Sequence, residues 1–259
     1  LRPENLGDIK KSFTVQAENF ENANMHFSKQ QYLDYMVRCL SLNSSDIILE
    51  AACGTCVCGR AAAPYVQSVS CLDVTPAMLA VGKNAAQKSG LKNMQFIEGI
   101  VEDMPFAAQT FDAVLTRLSF HHFTDTDKPF REMDRVLKRD GKLAVIDMEA
   151  AEESLRETED HLETLRDPSH VRTRSKRELT ALYGKYGYEV IRQESTVFPV
   201  ALDAWFDLTK TPDDARKTVT DMLTAELNGG PATGFRPYLK DGALHFEQRW
   251  LMLIGIKES

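Results

Sequence analysis

The sequence predicts an α/β fold: a Rossmann-like, doubly wound sheet of seven strands, mostly parallel with an antiparallel last strand, carrying a helical cap. Three observations predict it. Short apolar runs ending in small or acidic residues alternate with helical patterns between residues 46 and 147, and parallel strands need such crossover helices. The run at 46–52 opens directly into the small-residue turn Cys53-Gly54-Thr55, the kind of turn that lets main chain approach a ligand closely. A length of 259 residues, 43% of them hydrophobic, fills one α/β core and is short for two independent domains.

Residues 1–45 read as a helical element in which Phe13, Phe20 and Phe27 recur every seven residues and make one side aromatic. This element either packs on the core or closes over a ligand as a lid. The cofactor-binding core spans 46–196. Its strands are expected at 46–52, 68–74, 93–98, 111–116 and 142–147. Helices are expected at 57–66, at 76–89 with Pro76 in a first helical position, and at 127–138 closed by Asp140-Gly141. Residues 149–167 are acidic with Leu155, Leu162 and Leu165 on one helical face; a helix at 175–186 and a strand at 188–197 follow. Residues 197–247, with Pro212, Gly229-Gly230-Pro231 and Pro237, read as an irregular insertion on the substrate side, and 248–259 as the last strand.

A formal net charge of −7 without a long basic run fits poorly to a phosphate backbone, so no nucleic-acid partner is expected. No apolar run approaches the roughly 20 residues of a membrane span, and residues 1–11 lack a signal-peptide core. The expectation is a soluble, cytoplasmic protein acting on a small molecule, its oligomeric state left open. Four of the five cysteines lie between Cys53 and Cys71, unlike a dispersed disulfide framework, and read as reduced thiols. A second reading takes Cys53, Cys56 and Cys58, with Cys71, as ligands of zinc or an iron–sulfur cluster.

The turn after 46–52 serves several nucleotide cofactors, so charge has to discriminate. Glu50 at the strand end would repel a pyrophosphate but suits a cationic amino group or sulfonium, and no lysine follows Gly54 in the manner of a P-loop. Asp73, 19 residues beyond Gly54, stands where an acid can accept from both hydroxyls of a ribose, or simply sit ahead of the helix at Pro76. Met78 could pack on an adenine face or in the core. The acidic turn after residue 98 could read an adenine edge or stay solvated.

The stretches LEAACGT, CLDVTPAML, EGIVEDMPF, FDAVLTRLSFHHF and LKRDGKLAVIDM, in this order, resemble the successive motifs of class I S-adenosylmethionine methyltransferases, in particular the branch of the ubiquinone/menaquinone C-methyltransferases. The resemblance covers roughly residues 13 to 195 and implies methyl transfer from S-adenosylmethionine to a small-molecule acceptor. It implies that Glu50, Ala52 and Gly54 hold the methionine part, Asp73 the ribose, and Val74 and Met78 the adenosine. Val101 and Glu102 would border the adenine, Arg117 would lie along the cofactor, and Phe20 belongs to the element that closes over it. His122 falls on a histidine that many relatives carry, and is the candidate catalytic residue or a packed ring that orients its neighbours. Ala52 and Cys56 replace two of the family's three alternate glycines, and Ile100 replaces a common aspartate. The altered glycine turn also leaves open a non-catalytic binding or regulatory domain on the same fold.

Overall fold

The computed structural model describes residues 4–20, 29–150 and 152–257. Helices α1 (Leu6–Gln16) and α2 (Gln30–Leu40) precede β1 (Ile47–Ala51), α3 (Val57–Ala62), β2 (Ser68–Asp73), α4 (Pro76–Lys88), β3 (Met94–Glu98) and β4 (Phe111–Arg117). Then come α5 (Asp127–Val136), β5 (Leu137–Met148), α6 (Arg156–Arg166), α7 (Lys176–Lys185) and β6 (Tyr188–Ala201). The chain ends with α8 (Leu202–Thr209), α9 (Asp213–Leu227), β7 (Tyr238–Lys240) and β8 (Ala243–Lys257). The sheet order is β3-β2-β1-β4-β5-β8-β6, with β7 paired to β8. Neighbours from β3 to β5 run parallel, whereas β8 inserts antiparallel between β5 and β6. The predicted antiparallel last strand is therefore present. Strand order reverses between β1 and β4, the switch point beyond whose strand ends α/β sheets bind ligands.

Alternation along the strands explains why both sheet faces are covered. Ile48, Val69, Cys71 and Ala113 face a core shared with α2 and α3, and Leu49, Leu72, Val114 and Leu143 face one shared with α5 and α7. A third cluster, built on Trp205, Phe206, Val219, Leu223, Phe235 and Phe246, holds the cap together. Among the described residues no helix is long and apolar enough to cross a membrane.

Several expectations need correction. The heptad of phenylalanines does not lie on one helix: α1 stops at Gln16 and the chain turns, so Phe20 packs edge-on to Phe13 at 6.3 Å from outside the helix. Phe27 lies outside the described residues. The helix expected to reach residue 138 ends at Val136, and β5 starts at once, with a register irregularity in its pairing with β4. The insertion is not irregular. Pro212 is the N-cap of α9, so it marks a helix start, and apolar residues at helical spacing in α8 and α9 pack into the cap cluster.

Candidate functional site

The turn after β1 takes left-handed backbone three times, at Ala52 (φ 49°), Gly54 (φ 52°) and Cys56 (φ 56°), before α3 begins. A side chain in that conformation costs roughly 1–2 kcal/mol, which is why glycine is the natural choice. Here β2 holds the turn in place. The Cys53 N–H donates to the Leu72 carbonyl at 2.9 Å, the Gly54 N–H to the Asp73 carboxylate at 2.7 Å, and Cys56 is disulfide-bonded to Cys71. That disulfide overturns the reading of all the cysteines as reduced thiols: the register of β1 on β2 brings Cys71 beneath the start of α3, with Cα atoms 6.1 Å apart. Cys53 and Cys58 remain free and buried, and among the described residues no cluster of His, Cys, Asp or Glu could hold a metal ion.

Two glycines that the sequence reading passed over make this packing feasible. A Cβ on Gly59 would come within 2.9 Å of a Glu50 carboxylate oxygen and 2.7 Å of the Cys56 sulfur, and one on Gly82 would overlap the Thr55 carbonyl. The Gly59 N–H instead donates to Glu50 at 2.6 Å. Glu50 is 2% exposed, and its burial pushes the carboxyl up to about 7, against the pull of the Gly59 N–H and of Arg117 and Arg60. A buried carboxylate at the wall of a cleft is stabilised by a cationic ligand.

That cleft, about 840 Å³ with the part open to solvent, lies beyond the carboxyl ends of β1, β2 and β4. It brings together Phe20, Glu50, Ala52, Gly54, Asp73, Val74, Val101, Glu102, Arg117 and His122. Met78 does not join them: it is fully buried on α4 and takes no part in the lining. Ile100 lines the cleft as an apolar surface, and Glu102 beside it is half-buried, its carboxyl raised by that burial. Asp73 has a double role, because one oxygen takes the Gly54 N–H and the other the Thr75 N–H at 2.8 Å, fixing both the turn and the start of α4. Helix α1 closes one side through Leu6, Ile9 and Phe13, and the Phe20 ring sits 3.7 Å from where a Cβ on Gly54 would be.

A second cavity of about 750 Å³ adjoins the first and shares Phe13, Phe20, Leu118 and His122 with it. Met148, Phe198, Leu208, Trp205 and Trp250 give it an apolar wall, and His121, Gln16, Arg166, Asp167 and Gln248 give it a polar one. Asp167 at its edge is already taken by Ser12, Gln16 and Ser169. The two adjacent histidines are wired differently. His122 donates its Nδ1 proton to the Ser169 carbonyl at 2.9 Å, which leaves Nε2 as an acceptor, and burial, reinforced by neighbouring His121, pushes its basicity down to about 3. His121 meets the Asp147 carboxylate at 2.6 Å through Nδ1. Burial opposes a charged imidazole there, but Asp147, helped by Glu163 and Asp167, raises its basicity all the same. Asp147 also accepts the Ser119 and Phe120 N–H groups at 2.8 and 2.6 Å and is held below the usual carboxylate range, burial being outweighed by His121 and these donors. His170 is buried and bonded to Asp160 at 2.8 Å.

The sequence reading missed Asp147 as a functional residue. A signal existed, because β1, β2 and β5 each place an acid near the end of an apolar run, at Glu50, Asp73 and Asp147.

The family model described as a methyltransferase domain matches residues 42–194. The chain belongs to the class I S-adenosylmethionine-dependent methyltransferases. The Bacillus subtilis methyltransferase YcgJ is 33% identical over 214 residues, 82% of this chain and 83% of that protein. Its crystal structure superposes with a TM-score of 0.79, covering 89% of this chain and all of that one. The ubiquinone/menaquinone biosynthesis C-methyltransferase UbiE of Sinorhizobium fredii is 40% identical over 82 residues, about a third of each chain (31% and 32%). Geranyl diphosphate methyltransferase in complex with SAM shares the fold alone, with a TM-score of 0.62 at 12% identity over 88% of this chain and 85% of that one. In the methyltransferase described here, the matched segment contains β1 to β5 and the turn after β1, whereas most of the cap lies beyond it.

Proposed function

We propose that this methyltransferase binds S-adenosylmethionine in the cleft beside Glu50 and Asp73 and methylates a small molecule held in the adjoining apolar cavity. The observation that carries this reading is the shared wall: Phe13, Phe20, Leu118 and His122 border both cavities, so two ligands can meet there end to end. The buried Glu50 carboxylate fits the cationic methionine part, the left-handed turn leaves the main chain open, and Asp73 fits the ribose. When bound, S-adenosylmethionine supplies an electrophilic methyl carbon on a sulfonium.

The protein's own part is alignment, dryness and a base. Helix α1 acts as the lid, docked by Asn5 on the His122 carbonyl at 2.8 Å and by Ser12 on Asp167 at 2.7 Å. His122, neutral and with Nε2 free to accept, orients an acceptor O–H or N–H at the junction. His121 has the basicity that His122 lacks: with Nδ1 on Asp147, Nε2 takes the acceptor's proton, and the Asp147 carboxylate stabilises the imidazolium. The catalytic role expected at His122 is thereby divided between two rings.

Calorimetric titration with S-adenosylmethionine and S-adenosylhomocysteine tests the reading directly. Micromolar binding lost in both Glu50→Ala and Asp73→Ala is the expected result; binding that survives both substitutions would sink the cofactor assignment.

A further inference from the structure

Outside both cavities lies a third, about 490 Å³ with its open part, between the end of β5, α6, β8 and the segment before β7. Four glutamates line it, Glu149, Glu159, Glu163 and Glu247, with two arginines, Arg236 and Arg249, beside an apolar part made by Met148, Val197, Phe235 and Phe246. The partners of Glu149, Glu159 and Glu163 do not suffice. Glu163 takes an amide N–H from Gln248 at 3.4 Å and lies 3.7 Å from Arg166. Glu149, its side chain 7% exposed, has Oε1 at 3.6 Å from Lys176, but its buried Oε2 has no hydrogen-bond partner. Glu159 is 8% exposed, and among the described residues no donor hydrogen-bonds it and no cation lies within ion-pairing distance. Of the nearby guanidinium groups, Arg156 pairs with Glu153 and Glu178 and Arg236 with Glu152 and Glu247, while Arg249, which also lines the cavity, forms no ion pair with Glu149, Glu159 or Glu163.

Backbone keeps the mouth of this cavity clear. Gly234 sits at φ +93°, and any Cβ there would overlap the Glu159 carboxylate. Buried carboxylates without partners are costly unless they are protonated or meet a cation. The apolar part of the wall, Met148, Val197, Phe235 and Phe246, favours an organic cation over a hydrated metal ion, and among the described residues no metal-holding group occurs.

We propose that this cavity is a binding site for an organic ammonium, with Glu159 and Glu149 as its counter-charges and the Met148, Phe235 and Phe246 side chains around its alkyl part. Met148 and Gln248 are also walls of the acceptor cavity, so the ammonium belongs either to the tail of the acceptor or to a separate small ligand beside it. The site itself does not depend on methyl transfer.

The test uses the full chain without cofactor and compares n-butylammonium, 1-butanol and butyrate by calorimetry. Expected is binding of n-butylammonium about tenfold or more tighter than 1-butanol, with butyrate not bound. Glu159→Gln and Glu149→Gln should each remove most of that preference, while Glu157→Gln on the exposed side of α6 keeps it. Both variants should fold, since each removes an incompletely paired buried charge, and thermal melts check that. A second arm adds methyl-labelled S-adenosylmethionine: bound but unlabelled amine is expected, because an ammonium held by Glu159 and Glu149 has no free electron pair to take a methyl group, and label in the amine would place its nitrogen at the methyl-transfer junction and overturn the site. Equal binding of n-butylammonium and 1-butanol, or a preference unchanged in well-folded Glu159→Gln, overturns it. Because the first arm needs no cofactor, its failure would leave the methyl-transfer reading standing.

Discussion

Glu50 and His121 are both buried ionisable groups, and the physics of each fixes a testable consequence. The Glu50 carboxyl titrates near 7 in the folded protein because burial disfavours its charge. Its contribution to folding is therefore fully present below its unfolded value near 4.5 and is lost as pH rises through about 7. Thermal melts of the cofactor-free protein should show Tm falling from about pH 5 to about pH 8, and Glu50→Gln should flatten part of that fall. Glu159, also raised to about 7 by burial and by neighbouring Asp160 and Glu163, contributes in the same direction. Bound S-adenosylmethionine should oppose the trend, because its cationic part favours the ionised Glu50. At His121 the sign concerns the rate. Asp147 raises its basicity, so Asp147→Asn should move the acidic limb of the methyl-transfer pH profile to lower pH, and His121→Gln should lower the rate by about a hundredfold or more. His122→Gln should weaken acceptor binding and leave that limb where it is. An acidic limb unmoved in Asp147→Asn would remove His121 from the base role.

The turn between β1 and α3 shows how one element obtains a shape for which its own residues are poorly suited. Ala52 and Cys56 adopt glycine-like backbone because β2 anchors the turn through Leu72, Asp73 and the Cys56–Cys71 disulfide. A closed loop with a separation of 15 residues stabilises a fold by about 3 kcal/mol in the chain-entropy account. Thiol titration of the denatured, unreduced protein should therefore find three free cysteines, rising to five after reduction, with a lower Tm and weaker cofactor binding in the reduced form. Five thiols before reduction would refute the pairing. Gly82→Ala probes the other side of the turn: its methyl group would meet the Thr55 carbonyl, so a loss of about 2 kcal/mol in urea unfolding is expected. The turn itself was legible in the sequence because Cys53-Gly54-Thr55 follows directly on the apolar run of β1. Its anchoring was not, because it depends on the register of β1 against β2.

Across the whole molecule the sheet divides the work. The cleft that we assign to the cofactor lies beyond the carboxyl ends of strands β1 to β4, and β8, inserted antiparallel, carries the cap back over β5. Trp205 ties that cap to the second cavity, which we assign to the acceptor: it is 2% exposed, packs against the rings of Phe206, Phe235 and Phe246, and lines the cavity. Trp205→Ala should cost about 3–5 kcal/mol of stability and abolish acceptor selectivity, with cofactor affinity by calorimetry little changed. The sequence by itself determined the sheet, its antiparallel last strand and most of the residues that line the cleft beyond β1 and β2, because strand and helix periods and a small-residue turn are written in neighbouring residues. Tertiary structure decided the rest: the helices of the insertion as a packed cap, Met78 in the interior, His121 on Asp147, and four glutamates around one cavity. Each of those joins segments distant in the chain, and their meeting follows from strand order and from the packing of the cap on β8.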